Sequence, residues 1–147
     1  MDHVGFLMSD NSRLLRRAFD RKVREIGVTG PQARLLLTLN RAPGENQGFY
    51  AERLEVEPIT LCRMADRLEE ANMIERRPDP ADRRAWQLHL TDKSRKMVGR
   101  LQQKVDSVVD DMLAGLTAEE RSEFSRLLAV IGENLSERRD TARISHG

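Results

Sequence analysis

The stretch RRPDPADRRAWQLHLT, Arg76–Thr91, sets two arginine pairs on either side of a turn containing Pro78, Asp79, Pro80 and Asp82. It then alternates apolar with polar residues. Trp86, Leu88 and Leu90 share one face of that alternation and Gln87 and His89 the other, as in a half-buried strand over Ala85 to Leu90. Ile74 to Arg77 reads as its partner strand. The connection from Pro78 to Arg84 is too long for a tight turn, so the hairpin tip should project, stiffened where proline fixes φ. A projecting tip that carries arginines is a surface for an anion, and the neighbouring elements decide which anion.

Immediately upstream, Asn46 is a cap for a short helix from Gln47 to Leu54. Glu55-Val56-Glu57 breaks the chain, and Pro58 stands at the first position of a helix that runs to Ala71, with Asn72 able to close it in a left-handed conformation. Ala51 is small enough for the two helices to cross closely, and Val56 and Leu61 fill the space between them. Such a pair is a helix-turn-helix, whose second helix enters the major groove. If Leu61, Met64, Ala65 and Leu68 face inward, the helical period turns Ile59, Thr60, Arg63, Asp66 and Arg67 outward. Arg63 can offer guanine two parallel donors, which a lysine cannot reproduce, and Arg67 lies one turn further along.

Working outward, Ser9 to Ile26 reads as a helix ended by Gly27, with Leu14, Leu15, Ala18, Phe19, Val23 and Ile26 at three- and four-residue steps. Thr29-Gly30-Pro31-Gln32 is a capping box that opens a second helix through Leu36 and Leu39. Beyond the hairpin, Thr91 caps a long helix marked by Met97, Leu101, Val105, Val108 and Met112. Thr117 to Glu120 is another capping box, opening a helix with Phe124, Leu127, Leu128, Ile131 and Leu135. The polar tail, 138–147, is expected to be mobile. The fold class is therefore mainly α: a winged helix-turn-helix over 29–92, an N-terminal helix in 1–28 and C-terminal helices over 93–137.

Composition narrows the function. The 147 residues carry 33% charged side chains yet a net charge of only +1, so a polyanion partner requires locally concentrated arginine. The single cysteine, Cys62, excludes an internal disulfide and suits a reducing cytosol. No signal peptide and no membrane-spanning run is read in the chain, so a cytoplasmic place is expected. His3, His89 and His146 are scattered, and no catalytic motif is present, so neither a metal nor a cofactor nor enzyme activity is expected.

Over QARLLLTL, YAERLEVEPITLCRMADRLEE and IERRPDPADRRAWQLHLTDKSRK the chain resembles the MarR/SlyA family of winged helix-turn-helix transcriptional regulators. The resemblance implies a homodimer on a pseudo-palindromic operator, usually a repressor released by a small anionic aromatic ligand. It sets Arg63 where the recognition helix reads bases and Arg84 where the wing enters the minor groove. Ile59, Thr60 and Arg67 accompany Arg63. Asp82, two residues before Arg84, is expected to aim its guanidinium. Gln47, Arg76, Arg77 and Arg83 are expected on phosphates, and Leu14, Leu101, Val105, Val108, Leu127, Leu128 and Ile131 at the dimer interface. Glu55 stands where the family often has glycine, and Asn72 where it commonly does. Tyr50, Phe49 and Arg16 are open both to a structural role and to an effector pocket, and Trp86 is expected in the core. The alternatives are a winged-helix module for protein partners, or redox sensing through Cys62.

Overall fold

The computed structural model describes the backbone of residues 3–145 and the side chains of residues 3–136. The chain forms two compact units, Met1–Val109 and Asp110–Gly147. The first unit begins with α1 (His3–Arg24), which starts earlier than expected and buries only Val23. Gly27, at φ +85°, turns the chain into α2 (Gly30–Arg41). Both bonds of the capping box are formed: Thr29 Oγ1 accepts from the Gln32 amide at 3.2 Å, and Gln32 Oε1 from the Thr29 amide at 3.1 Å. Arg34 pairs with Asp20 at 2.7 Å, joining α2 to α1. A side chain at Gly30 would meet the Asp20 carboxylate, which would have to shift away from its place beside Arg34.

Two short helices follow. In α3 (Gln47–Leu54), Asn46 Oδ1 accepts from the Phe49 amide at 2.9 Å, and Glu55 closes the helix left-handed at φ +55°. The helix α4 (Pro58–Glu70) buries Leu61, Ala65 and Leu68, and Asn72 at φ +59° releases the chain into the sheet. The sheet has two antiparallel strands, β1 (Ile74–Asp79) and β2 (Asp82–Leu90), with Ile74 opposite Leu90, Arg76 opposite Leu88 and Pro78 opposite Trp86. Leu35, Leu36, Leu39, Tyr50, Leu61, Ile74, Leu88 and Leu101 are fully buried together. Each buried leucine contributes about 1.5–3 kcal/mol relative to exposure, so this cluster fixes the positions of α4 and the hairpin.

The hairpin departs from expectation. Asp79 pairs with Asp82 across a two-residue loop, Pro80-Ala81, and Asp79 Oδ1 accepts from the Ala81 amide at 2.9 Å. The strands therefore run much further toward the tip than Arg77 and Ala85. An irregularity between Pro78 and Asp79 absorbs the proline within the ladder, where an outward-facing position needs no N–H.

After β2, Thr91 and Ser94 cap α5 (Asp92–Met112) reciprocally. Leu101 and Val108 are buried within the single chain, with Leu101 in the core cluster. For Leu101 that corrects the assignment to a dimer interface: the period of α5 marked an inward face, and there the occupant is the chain's own core. Val105 is half-buried. In the second unit, the Thr117–Glu120 capping box opens α6 (Ala118–Ser145), which continues as helix beyond residue 137 where the polar tail was expected to begin. None of the described residues of α6 is buried.

Candidate nucleic-acid interface

Helical period divides α4 into three faces. Leu61, Ala65 and Leu68 pack inward, while Ile59, Thr60, Arg63 and Arg67 are exposed, as the sequence predicts. Cys62, Asp66 and Glu69 form the third face, turned toward the hairpin, where Arg76 meets them. Among the described residues no side chain engages the guanidinium groups of Arg63, Arg67, Arg83 or Arg84. These four cations are free to meet a ligand.

Arg84, on β2, lines a cleft of about 320 Å³ together with Asn46, Gln47, Gly48, Pro58, Ala85 and Trp86. The outer part of the wing and the starting turns of α3 and α4 thus border one concavity. Arg84 therefore belongs to the same face of the unit as the N-terminal end of the recognition helix.

Asp82 does not aim the Arg84 guanidinium as expected. Its Oδ1 accepts from the Arg84 backbone amide at 3.0 Å, so it shapes the turn and leaves the side chain unattached. A carboxylate two residues away reaches the backbone donor before the end of a long side chain. Arg77 is held by Glu75 through two bonds of 3.2 Å, with both side chains about half exposed. The Arg77 hydrogen bond and its charge hold the Glu75 carboxyl below its usual range.

Arg76 is the largest correction. Its side chain is 13% exposed and fully engaged. Nη2 reaches Asp66 at 2.7 Å and the Cys62 carbonyl at 3.3 Å, Nη1 donates to Glu69 at 3.1 Å, and Nε donates to Gln47 Oε1 at 3.1 Å. Burial opposes its charge, but Asp66 and Glu69 outweigh that, so its pKa lies above the ordinary value. Such a group is not available for phosphate. Strand parity carried the signal: Ile74 points inward, so Arg76 must as well. Gln47, its Oε1 committed, keeps its amide nitrogen as a donor.

The other candidates separate cleanly. Tyr50 is fully buried, its hydroxyl donating to the Ala42 carbonyl at 2.6 Å and accepting from the Glu45 amide at 3.0 Å, so it is structural. Phe49 packs edge-on against it, with Arg53 over its ring at 5.3 Å. Arg16 is exposed on α1. Trp86 is 47% exposed, against the expectation of a core residue, because the inward face of β2 runs past the end of the core before reaching it. Leu14, Leu127 and Leu128 are exposed and Ile131 is half-buried.

Two helices crossing at a capped turn, followed by a two-stranded wing beside the second helix, define a winged helix-turn-helix protein. Residues 28–86 match the model of the MarR family. Among solved structures, the chain is similar to the transcriptional repressor CouR bound to a 23-mer DNA duplex, with 28% identity and a TM-score of 0.74 over 88% of this chain and 92% of that one. It also shares the fold of a MarR transcriptional regulator from Methanosarcina mazei Go1, with 22% identity and a TM-score of 0.84 over 93% and 99% of the two chains. A variant MarR from E. coli complexed with operator DNA gives 24% identity and a TM-score of 0.73 over 87% and 92%. No helix among the described residues is long and apolar enough to cross a membrane.

Proposed function

We propose that this chain is a sequence-specific DNA-binding regulator acting as a homodimer, with Arg63 reading bases in the major groove and Arg84 inserted in the minor groove. The observation that carries this is the set of four unengaged arginines, Arg63 and Arg67 on the outward face of α4 and Arg83 and Arg84 on the wing that borders its N-terminal end. Narrow minor grooves concentrate negative potential and favour a free guanidinium. Ile59 and Thr60 lie beside Arg63, and Gln47, Arg77 and Arg83 supply phosphate contacts. A two-fold pair of such units spaces its recognition helices about 34 Å apart, one turn of duplex. Its sites are then inverted repeats in the cytoplasm's DNA. Repression, and release by a small anionic aromatic ligand, rest on the family resemblance and on the likeness to a repressor.

Selection of bound duplexes from a random pool tests this. The expected result is an inverted repeat, bound with an affinity that falls steeply with salt. Arg84→Ala should lower affinity for that repeat by about 1–3 kcal/mol, and Arg63→Ala should relax preference at one base pair per half-site. Recovery of no salt-sensitive complex would overturn the reading and favour a protein partner for the same surface.

A further inference from the structure

Arg76 joins β1 to both helices of the helix-turn-helix, through Gln47 on α3 and through Cys62, Asp66 and Glu69 on successive turns of α4. It is the inward neighbour of Leu88 across the sheet, and it borders a second cleft with Gln47, Cys62, Asp66, Glu69 and Trp86. A planar fork with several donors can satisfy acceptors in different directions at once, which an ammonium cannot. Meanwhile Asp66 and Glu69 place negative charge on a helix that must approach a polyanion. By charge alone they weaken DNA binding, so a role as anchors explains what electrostatics would remove.

We infer that Arg76 is a positioning residue: through Asp66, Glu69 and Gln47 it sets the angle and spacing between the recognition helix and the wing, and thereby the discrimination of operator from random DNA, without touching DNA. The inference rests on the DNA-binding reading above. Arg63 and Arg84 can engage neighbouring grooves together only if α4 and the hairpin hold one separation. The hydrophobic cluster fixes the root of the wing through Ile74, Leu88 and Leu90, but Arg76 ties its next turn outward to the face of α4 beside Arg63. Loss of the tie should leave non-specific attraction intact and blur the register of the two contacts.

The sign of one substitution distinguishes this from simple electrostatics. Asp66→Ala removes a negative charge from an exposed helix position, where alanine keeps the helix. Electrostatics alone predicts tighter binding to every duplex. A positioning role predicts a lower ratio of operator to random-DNA affinity, by about tenfold. Arg76→Ala should lower the ratio equally, Arg76→Lys should not restore it, and the double variant Asp66→Ala/Arg76→Ala should lose no more than either single one. The slope of affinity against salt should be unchanged in Arg76→Lys and Arg76→Ala, whereas a phosphate contact would lose about one counterion in the alanine variant. Circular dichroism checks that each variant is folded; if Arg76→Ala is not, Asp66→Ala and Glu69→Ala carry the measurement. An unchanged ratio in Asp66→Ala, additive losses in the double variant, or a shallower salt slope would overturn the positioning role while wild-type DNA binding stood. Wild-type protein that selected no duplex would overturn the DNA reading and this inference with it.

Discussion

His89 shows how a single side chain on the wing couples stability to pH. It stands opposite Glu75 in the sheet, its Nε2 lies 3.1 Å from Gln87 Oε1, and its ring packs against Gly44. Burial first, and the charge of Arg77 second, push its pKa below the ordinary value; Glu75 opposes this weakly. Because the folded state binds the proton less readily than the unfolded chain, the two states differ in protons bound only below the ordinary histidine pKa of about 6.5. Stability should therefore be full above that value and decline as pH falls through the lowered folded pKa. His89→Gln should flatten the decline between about pH 7 and 5, as read from denaturation midpoints in a pH series. A decline that persists unchanged would mean another group carries it.

The elements differ in how clearly their residues announced them. Caps made the helix-turn-helix legible: Asn46, Pro58 and Asn72 each act at the position their chemistry suggests. The hairpin was harder, because Pro78 and Pro80 read as breakers when one sits in a strand and the other in a two-residue loop. Arg76 was misassigned for a related reason, since composition groups it with the other wing arginines while strand parity separates it from them. Nothing local tells an inward face of α5 that meets its own core from one that meets a partner. The turn between α3 and α4 offers a test at this scale. Glu55 occupies the left-handed region at φ +55°, where a side chain costs about 1–2 kcal/mol and glycine would cost none, against glycine's own entropy of about 0.5–1 kcal/mol. Glu55→Gly should thus raise stability by up to about 1 kcal/mol in urea titration, and a loss would show that the glutamate side chain has a compensating role.

At the scale of the molecule, apolar side chains stand without cover on two helices. On α1, Val4, Phe6, Leu7 and Leu14 are each at least half exposed, and on α6 Phe124, Leu127, Leu128, Val130 and Leu135 are all exposed. A helix draws most of its stability from burying one face, so an α6 with no buried residue among those described is marginal in an isolated chain. In the homodimer proposed above, a second copy of the chain would supply the missing cover and, with it, the two-fold spacing that an inverted repeat demands. Two leucines should then respond differently to a charge. Leu127→Glu meets solvent in the single chain and an apolar partner in the dimer, so sedimentation should give monomers whose winged unit stays folded while α6 loses helix. Leu101 is fully buried in the chain's own core, where losing the side chain alone costs about 2–5 kcal/mol, so Leu101→Glu should unfold the protein instead of dissociating it. A Leu127→Glu protein that sediments like the wild type would remove α6 from the interface, and a folded, monomeric Leu101→Glu would return α5 to it.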